Sequence, residues 1–338
     1  MTSIPHVRRV AGHVLPAVLL CLIAGCGRAR IGGPAPPPRA PDSEVAADEL
    51  RPADEVEAPR LEIAILFDNA APDYAGVAAE LRGLLSPERY SLTMVAVDSE
   101  DPPQILRALR ARPGLFVVAV GLGAARLARD ELNVPVVFAQ VFNYQELLVD
   151  GRPIRGVSAI PPFALQARDW KRLDPGLGRV ALIVSERHSY LVGEATEAAR
   201  AADMTIEPVT SSSDQETLYL FKRLAPEVDG LWLVPDERIL SPAVLRELLG
   251  YAVSHGVRVS VSSHALLDWG ALLSASATTA DVARTARSVL ERMIVGETDA
   301  VPPLTPLSEL EVRVNEEVAN RLGLGPLPRE SWIVRRER

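Results

Sequence analysis

The residue with the most specific chemistry in this sequence is Cys26. It ends the tetrapeptide IAGC at 23–26, which follows Arg8, Arg9 and an apolar run of about fifteen residues. This order is typical of a bacterial lipoprotein signal, because small residues let a peptidase cut before a cysteine that then receives acyl chains. A spanning helix would need roughly 20 apolar residues. We therefore predict a signal peptide at 1–25 and a lipid anchor, such as palmitate, on Cys26. An ordinary secretory signal with a chance cysteine is the alternative.

Residue types that could support nucleophilic catalysis occur together in Ser263, His264 and Asp268. Their closeness in sequence argues against a triad, because triad partners normally come from separated loops. The segment GVSAI at 156–160 lacks the last glycine of a nucleophile elbow. The three histidines that follow Cys26 show no metal-ligand spacing. The sequence thus predicts no catalytic residue, no metal and no cofactor.

A glycine-containing turn and a polar pair follow two of the apolar runs. GLGAAR at 121–126 could present backbone N–H groups to an anionic or carbonyl group at the start of a helix. It lacks the third glycine of a dinucleotide fingerprint, and a plain tight turn is the alternative. Asp68 and Asn69 come directly after a buried-strand pattern, where they could contact a ligand or cap a helix.

Aromatic and polar side chains form two further groups of candidates. Phe142, Asn143 and Tyr144 place an amide between two rings and suit stacking on a small ring, although packing of their own loop is the alternative. A second group follows later apolar runs and would form an opposing wall. The candidate ligand-binding residues are Asp68, Asn69, Gly121, Leu122, Gly123, Phe142, Asn143, Tyr144, Ser185, Glu186, His188, Asp236, Ser263 and Ser276.

Composition excludes several classes of partner and site. The 338 residues carry a net charge of −8. Because residues 1–25 hold two of the 36 basic side chains and none of the 44 acidic ones, the remaining chain has a net charge of −10. This charge disfavours nucleic acids and anionic membrane surfaces. Both cysteines, Cys21 and Cys26, lie in or at the signal, so the chain beyond them has no disulfide and no thiolate metal site.

The segment 26–60 is predicted to be a disordered linker. It contains the proline-rich GGPAPPPRAP at 32–41, which is followed by an acidic stretch that is almost free of large apolar residues. Such a segment buries too little surface to offset its ordering entropy. In extended form it would reach on the order of 100 Å, at roughly 3.1 Å per residue.

From residue 61 onward, apolar strand patterns alternate with helical periodicity in two similar series. The predicted strands are 61–67, 91–97, 115–121 and 134–141, then 177–185, 204–209, 229–235 and 257–262. The predicted helices are 73–85, 103–111 and 124–132, then 194–202, 214–225 and 241–256, followed by 279–295. Two βαβ series predict an α/β fold of two Rossmann-like lobes with parallel sheets. A ligand would then bind outside the carboxyl ends of the strands, where the lobes face each other.

The order and spacing of several segments resemble the periplasmic solute-binding proteins of ABC transporters, in the subfamily that includes tryptophan-type binders. The matching segments are 115–128, 134–149, 156–162, 173–189, 229–241, 268–303 and 307–328. The resemblance implies the type I periplasmic binding fold, in which three crossovers join the lobes, here near 156–162, 271–277 and 301–306. It divides the chain into an N-terminal lobe of 61–158 plus 275–302 and a C-terminal lobe of 159–274 plus 303–328.

The chain departs from the family pattern at positions that usually face the ligand. A His-Pro pair is replaced around Asp68, and the Gly-Thr pair becomes Gly121-Leu122. An Asp-Pro pair becomes Asn143-Tyr144, and two aromatic residues before the last long helix become threonines. The scaffold is therefore retained while the usual ligand-facing residues are largely replaced, so the resemblance does not determine whether the ligand is the aromatic amino acid typical of the family.

Together these features predict a lipid-anchored, extracytoplasmic protein that captures a small molecule between its lobes. Its further partners would be an ABC permease and ATPase. The replaced loop residues leave open an alternative, an envelope interaction or structural lipoprotein that no longer transports solute. Gly27 favours the outer membrane over the inner membrane, because Asp is the residue that usually retains such lipoproteins at the inner membrane.

Overall fold

The computed structural model describes residues 60–68, 72–98, 102–148, 151–236, 238–325 and 335–336. All of them belong to one unit, Ala58–Arg338. The predicted signal peptide, Cys26 and the linker up to residue 59 lie outside the described residues. The same holds for Asn69.

The described part of the first lobe is built on a six-stranded parallel sheet. Strand β1 is buried on both faces, because its Ile63–Leu66 segment is covered by helices on either side. The strands are β1 (Leu61–Phe67), β2 (Tyr90–Ala96), β3 (Phe116–Val120), β4 (Val136–Ala139), β5 (Ile154–Val157) and β11 (Leu304–Thr305). Their order across the sheet is β11-β5-β4-β3-β1-β2.

The described part of the second lobe contains a seven-stranded sheet. Its strands are β6 (Arg179–Ser185), β7 (Thr205–Ser211), β8 (Gly230–Trp232), β9 (Arg258–Val261), β10 (Leu273–Ser276), β12 (Glu309–Val314) and β13 (Arg335–Arg336). Their order is β13-β12-β10-β9-β8-β6-β7. Strand β12 pairs antiparallel with β10 and β13, and the other pairs are parallel. The predicted α/β fold of two lobes with mostly parallel sheets is confirmed.

Helices cover both faces of each sheet, which gives every lobe two apolar layers. They are α1 (Pro72–Leu84), α2 (Pro102–Arg110), α3 (Leu122–Glu131), α4 (Phe163–Leu173), α5 (Leu191–Ala201), α6 (Asp214–Leu224), α7 (Pro242–Ser254), α8 (Thr279–Ile294) and α9 (Glu316–Arg321). On the first sheet, α1 and α8 share one face and α2 and α3 the other. On the second sheet, α4, α5 and α9 lie opposite α6 and α7.

Three crossovers join the lobes, at 158–162, 277–278 and 306–308. The last two lie slightly beyond the predicted 271–277 and 301–306, because β10 and β11 complete their sheets before the chain leaves each lobe. Asp281 of α8 connects these two crossovers. Its carboxylate accepts hydrogen bonds from the Ser308 N–H and hydroxyl and from the Glu309 N–H, each at 2.9 Å. Thr278 caps α8 by accepting the Asp281 N–H at 3.0 Å, which gives this replaced family position a structural role.

One glycine is required by a close approach between neighbouring strands. Gly156 of β5 pairs with Phe138 of β4, and the Phe138 ring lies across it. A Cβ atom at residue 156 would come within 1.9 Å of that ring. Because Phe138 is fully buried, its ring has no free space into which it could move.

Candidate functional site

The loops that follow the strands of the two lobes face each other, and one aromatic contact joins them directly. Phe142 follows β4 of the first lobe, and His188 follows β6 of the second. Their ring centroids are 4.3 Å apart, with the planes tilted by 51°. The carboxyl ends of the strands thus form the interlobe surface where the sequence predicted the binding residues.

Behind this contact, three polar side chains of the second lobe form a buried cluster. His188 is fully buried, and Asp236 and Ser185 are 3% and 6% exposed. The His188 Nδ1 atom lies 2.7 Å from Asp236 Oδ2 and 3.2 Å from Ser185 Oγ. Because an ionised carboxylate only accepts hydrogen bonds, Nδ1 carries the hydrogen and donates it to Asp236.

The contacts within this cluster lower the pKa of the Asp236 carboxyl group. Burial alone would raise the pKa of its carboxyl group, and it is the largest single influence. Hydrogen bonds from His188 and Ser185, the charge of His188 and the Arg238 N–H together outweigh burial, so the pKa lies below its ordinary value. Asp236 is therefore ionised at neutral pH.

The geometry of this cluster differs from that of a catalytic triad. In a triad the hydroxyl and the carboxylate contact opposite nitrogens of the imidazole ring. Here Ser185 and Asp236 both approach Nδ1 of His188. Nε2 is buried and has no hydrogen-bond partner among the described residues, as is also true of the Asn143 Oδ1 atom. The cluster thus orients the His188 ring toward Phe142.

A second connection between the lobes is made by Glu146, which accepts from three arginines. Arg126 belongs to α3 of its own lobe and contacts Oε2. Arg187 and Arg238 belong to the other lobe, and their Nη atoms lie 2.7 and 3.1 Å from Oε1. The hydrogen bond from Arg126 is the largest cause that lowers the pKa of Glu146, and the charges of all three arginines lower it further against the effect of burial.

An apolar cavity of about 190 Å³ lies beside these contacts and has walls from both lobes. Because four of its lining residues are aromatic, we call it the aromatic cavity. Tyr144 forms part of one wall, stacked near Phe138 at 6.0 Å and edge-on to Tyr190 of the second lobe at 6.1 Å. Two crossovers close the cavity. The lining residues are Val141, Phe142, Tyr144, Ser158, Ala159, Ile160, Pro161, Pro162, Phe163, Tyr190, Leu191, Glu194, Leu304 and Pro306.

Two further features hold other predicted residues. Asn143 lines a depression with Gln145, Glu146 and Arg187. Asp236 and Ser263 line a cavity of about 160 Å³ within the second lobe, whose walls are otherwise largely apolar. Some predicted candidates from each lobe therefore line these depressions, and Asp236 belongs both to the buried cluster and to the cavity within the second lobe.

The glycine turn at 121–123 is explained by packing within the first lobe. Gly121 has φ of 90°, and a Cβ there would lie 2.7 Å from the Tyr74 ring. Leu122 packs against the apolar layer of α2 and α3, and Gly123 is exposed. A ring thus covers the first glycine of the turn that was predicted to contact ligand.

The remaining predicted residues have varied surroundings. Asp68 is partly buried at the end of β1, and Glu186 is exposed. The Ser276 hydroxyl donates to the Ser262 carbonyl at 2.7 Å, which ties the end of β10 to the loop that follows β9. None of these three residues is among the described residues that line the aromatic cavity.

The sequence-adjacent Ser263, His264 and Asp268 do not assemble into a triad. The His264 ring instead contacts the Ser274 hydroxyl through Nδ1 and lies 3.4 Å from Glu311 through Nε2. Ser274 is fully buried in β10 and is inaccessible to a substrate. Across the described residues, no group of three or more potential metal-ligating His, Cys, Asp or Glu side chains occurs.

Sequence reasoning missed Glu146, Arg126, Arg238, Tyr190 and Glu194. Tyr190 and Glu194 lie only two and six residues beyond His188, so extending the second predicted wall along the chain would have included them. The sequence did not indicate a role for Glu146, which is an acidic residue in a loop. Its role depends on two arginines that the second lobe brings to it.

Solved structures with similar folds support the architecture. An ABC domain in complex with L-Trp from Streptococcus pneumonia is 20% identical, with 80% of this chain and 97% of that chain covered and a TM-score of 0.53. A ligand-free, open substrate-binding protein with adhesive properties from Clostridium difficile is 14% identical, with the same coverages and a TM-score of 0.61. A conserved domain protein from Vibrio cholerae is 13% identical, again with those coverages and a TM-score of 0.54.

No protein-family model matches the chain, and neither does any curated protein sequence. Within the described residues, every helix is too short or too polar to cross a membrane. The sequence identity to these solved structures is low, but the match covers 97% of each of those chains and 80% of this one. The chain therefore has the type I periplasmic binding protein fold.

Proposed function

We propose that this chain is an extracytoplasmic solute-binding protein that captures a small molecule between its lobes and serves an ABC transporter. The observation that carries the proposal is the aromatic cavity, because its walls come from both lobes and from the crossovers that join them. A ligand in this cavity would contact both lobes and the crossovers between them, so its binding energy would favour the arrangement in which the lobes are closed. The L-Trp complex of a protein with the same fold supports this function.

A thermal shift screen of amino acids, purines, amines and short peptides tests ligand capture. Because a ligand that binds only the folded state stabilises it, at least one compound should raise the melting temperature in a concentration-dependent way. Tyr144→Ala should lower the affinity for that compound by roughly tenfold to a hundredfold, because an aromatic contact is lost. Tyr219→Ala, at a residue that is 63% exposed on α6, should leave binding unchanged. A flat response to the whole panel would contradict the proposal.

The lipid anchor is tested by the substitution Cys26→Ser, since the acyl chains would be attached to that thiol. Wild-type protein should incorporate labelled palmitate in bacterial cells and sediment with membranes, whereas the variant should do neither. Separation of the two membranes by density then tests the outer-membrane location suggested by Gly27. Equal labelling of wild type and variant would remove Cys26 as the attachment site.

A second function, an envelope interaction module that no longer transports solute, is favoured by one observation. The Phe142–His188 contact and the Glu146 ion pairs join the lobes directly through protein side chains. The adhesive properties of a protein with the same fold give this alternative some support. Co-purification from mild detergent separates the two. Recovery of a permease and an ATPase favours transport, whereas a stable complex without them favours the module.

A further inference from the structure

The aromatic cavity has walls suited to hold a positive charge. Four of its lining residues, Phe142, Tyr144, Phe163 and Tyr190, are aromatic. The Tyr144 and Tyr190 rings come from different lobes and meet nearly perpendicular, at 89°. Aromatic faces attract organic cations through their quadrupole, and several faces around one site strengthen the effect.

One ionised side chain supplies a negative charge at this cavity. Among the described residues that line it, Glu194 is an acid and none is a lysine, an arginine or a histidine. Glu194 is exposed and lies in the first turn of α5. Its charge reaches the cavity wall: desolvation is the largest cause that raises the pKa of Tyr190, and the charges of Tyr144 and Glu194 raise it further against a hydrogen bond from Gln145.

A ligand carboxylate would find no positive partner at this cavity. Arg187 and Arg238, two second-lobe arginines that reach across to the first lobe, both bind Glu146. A free amino acid would therefore leave its carboxylate unpaired against apolar walls, which is unfavourable. Its amine alone would match the site.

We propose that the aromatic cavity binds a small organic cation, an amine that carries an apolar or aromatic body, with Glu194 as its counter-ion. This inference rests on the proposed function and specifies its ligand class. The volume of about 190 Å³ is below the roughly 300–1,000 Å³ of sites for drug-sized ligands. A single ring with a short amine chain therefore suits it.

Calorimetric titration with three probes of matched size tests the charge preference. The probes are 2-phenylethylamine, 2-phenylethanol and phenylacetate, which are cationic, neutral and anionic at neutral pH. The amine should bind at least about tenfold more tightly than the alcohol, and the anion should not bind. Amine binding that is equal to or weaker than alcohol binding, or absent, would overturn the inference.

Substitution of the counter-ion assigns the preference to this cavity. Glu194→Gln should weaken binding of the amine about tenfold and leave the affinity for the alcohol unchanged. Glu197→Gln, at an exposed residue of the same helix that does not line the cavity, is the matched control and should affect neither probe. An unaltered amine affinity in Glu194→Gln would overturn the assignment.

The inference and the proposed function fail in different ways. If the wider thermal shift panel contains a neutral or anionic ligand whose binding depends on Tyr144, solute binding stands and the cation preference is wrong. If no compound of either set binds, both fail.

Discussion

At the scale of single residues, the orientation of His188 follows from the chemistry of Asp236. The carboxylate takes the Nδ1 hydrogen, and this fixes the plane in which the ring meets Phe142 of the other lobe. A polar cluster inside one lobe thereby sets the shape of the surface that the other lobe contacts. The Ser185 hydroxyl adds a second donor to the same carboxylate.

The lowered pKa of Asp236 predicts an acid-dependent loss of stability. Because the folded-state pKa lies below the unfolded value, this group stabilises the fold above the unfolded pKa, about 3.9, and its contribution is lost as the pH falls through the lower folded value. Urea unfolding between about pH 5 and about pH 3 should show a smaller loss of free energy for Asp236→Asn than for wild type.

The control for this experiment is Asp203→Asn, at an exposed residue whose φ of 55° an asparagine adopts readily. It should retain the acid dependence of the wild type. An identical pH slope for Asp236→Asn and wild type would show that the cluster does not stabilise the folded state through this carboxylate.

Residue types and their positions after strands were enough to select Ser185, His188 and Asp236 together, because strand ends of one sheet converge. Their burial could not be inferred, since His188 and Asp236 are polar and the layer that covers them comes from the Phe142 loop. The ligand roles of all the selected residues stay predictions. Glu146 could not be selected either, because two of its three arginines belong to another lobe.

At the scale of elements, the pairing of β4 with β5 predicts different effects of two Gly→Ala substitutions. Gly156→Ala would force a methyl group into the buried Phe138 ring and should lower the free energy of unfolding by about 1–3 kcal/mol or prevent folding. Gly83→Ala lies in α1 with nothing within 4 Å, and should raise it by about 0.5–1 kcal/mol. Urea unfolding measures both, and equal effects would contradict the packing described for β5.

The elements themselves were largely predictable, because continuous apolar runs mark strands buried on both faces and 3.6-residue periodicity marks the helices. Helix α7 at Pro242–Ser254 falls within the predicted 241–256. The edge strands were harder: β11 has two residues, too few for any periodicity, and it forms because β5 offers it a parallel partner. The sequence indicated β12 only as part of the family-like tail. Its antiparallel direction could not be predicted, because it depends on the point at which the chain re-enters the second sheet after the last crossover.

At the scale of the whole molecule, the Glu146 ion pairs predict how firmly the lobes are held together. Glu146→Gln should shift the lobes toward larger separations, because two cross-lobe pairs, worth up to about 1 kcal/mol each, are weakened. A chain that begins after Cys26 has no native cysteine, so spin labels can be placed at exposed Glu80 and Glu197, one in each lobe. Pulsed electron resonance then measures the distance distribution.

The matched control is Glu131→Gln, because the Arg110–Glu131 pair lies within the first lobe. It should leave the interlobe distances unchanged. Added salt should shift the wild-type distances in the same direction as Glu146→Gln does, toward larger separations. The reason is that these side chains are partly exposed, so salt screens their attraction. Distances that respond equally to both substitutions would contradict a role for Glu146 between the lobes.

The crossovers also affect the order in which the chain can fold as it is made. The first sheet is complete only when β11 pairs with β5, and the Arg155 side chain donates to the carbonyl of Val301, 146 residues later in sequence. A chain that emerges from its amino end therefore lacks an edge strand and the α8 layer of its first lobe until nearly all of it has been synthesised. Contacts so distant in sequence form slowly. The late closure of this lobe keeps the nascent chain unfolded for longer, which would suit the export proposed above.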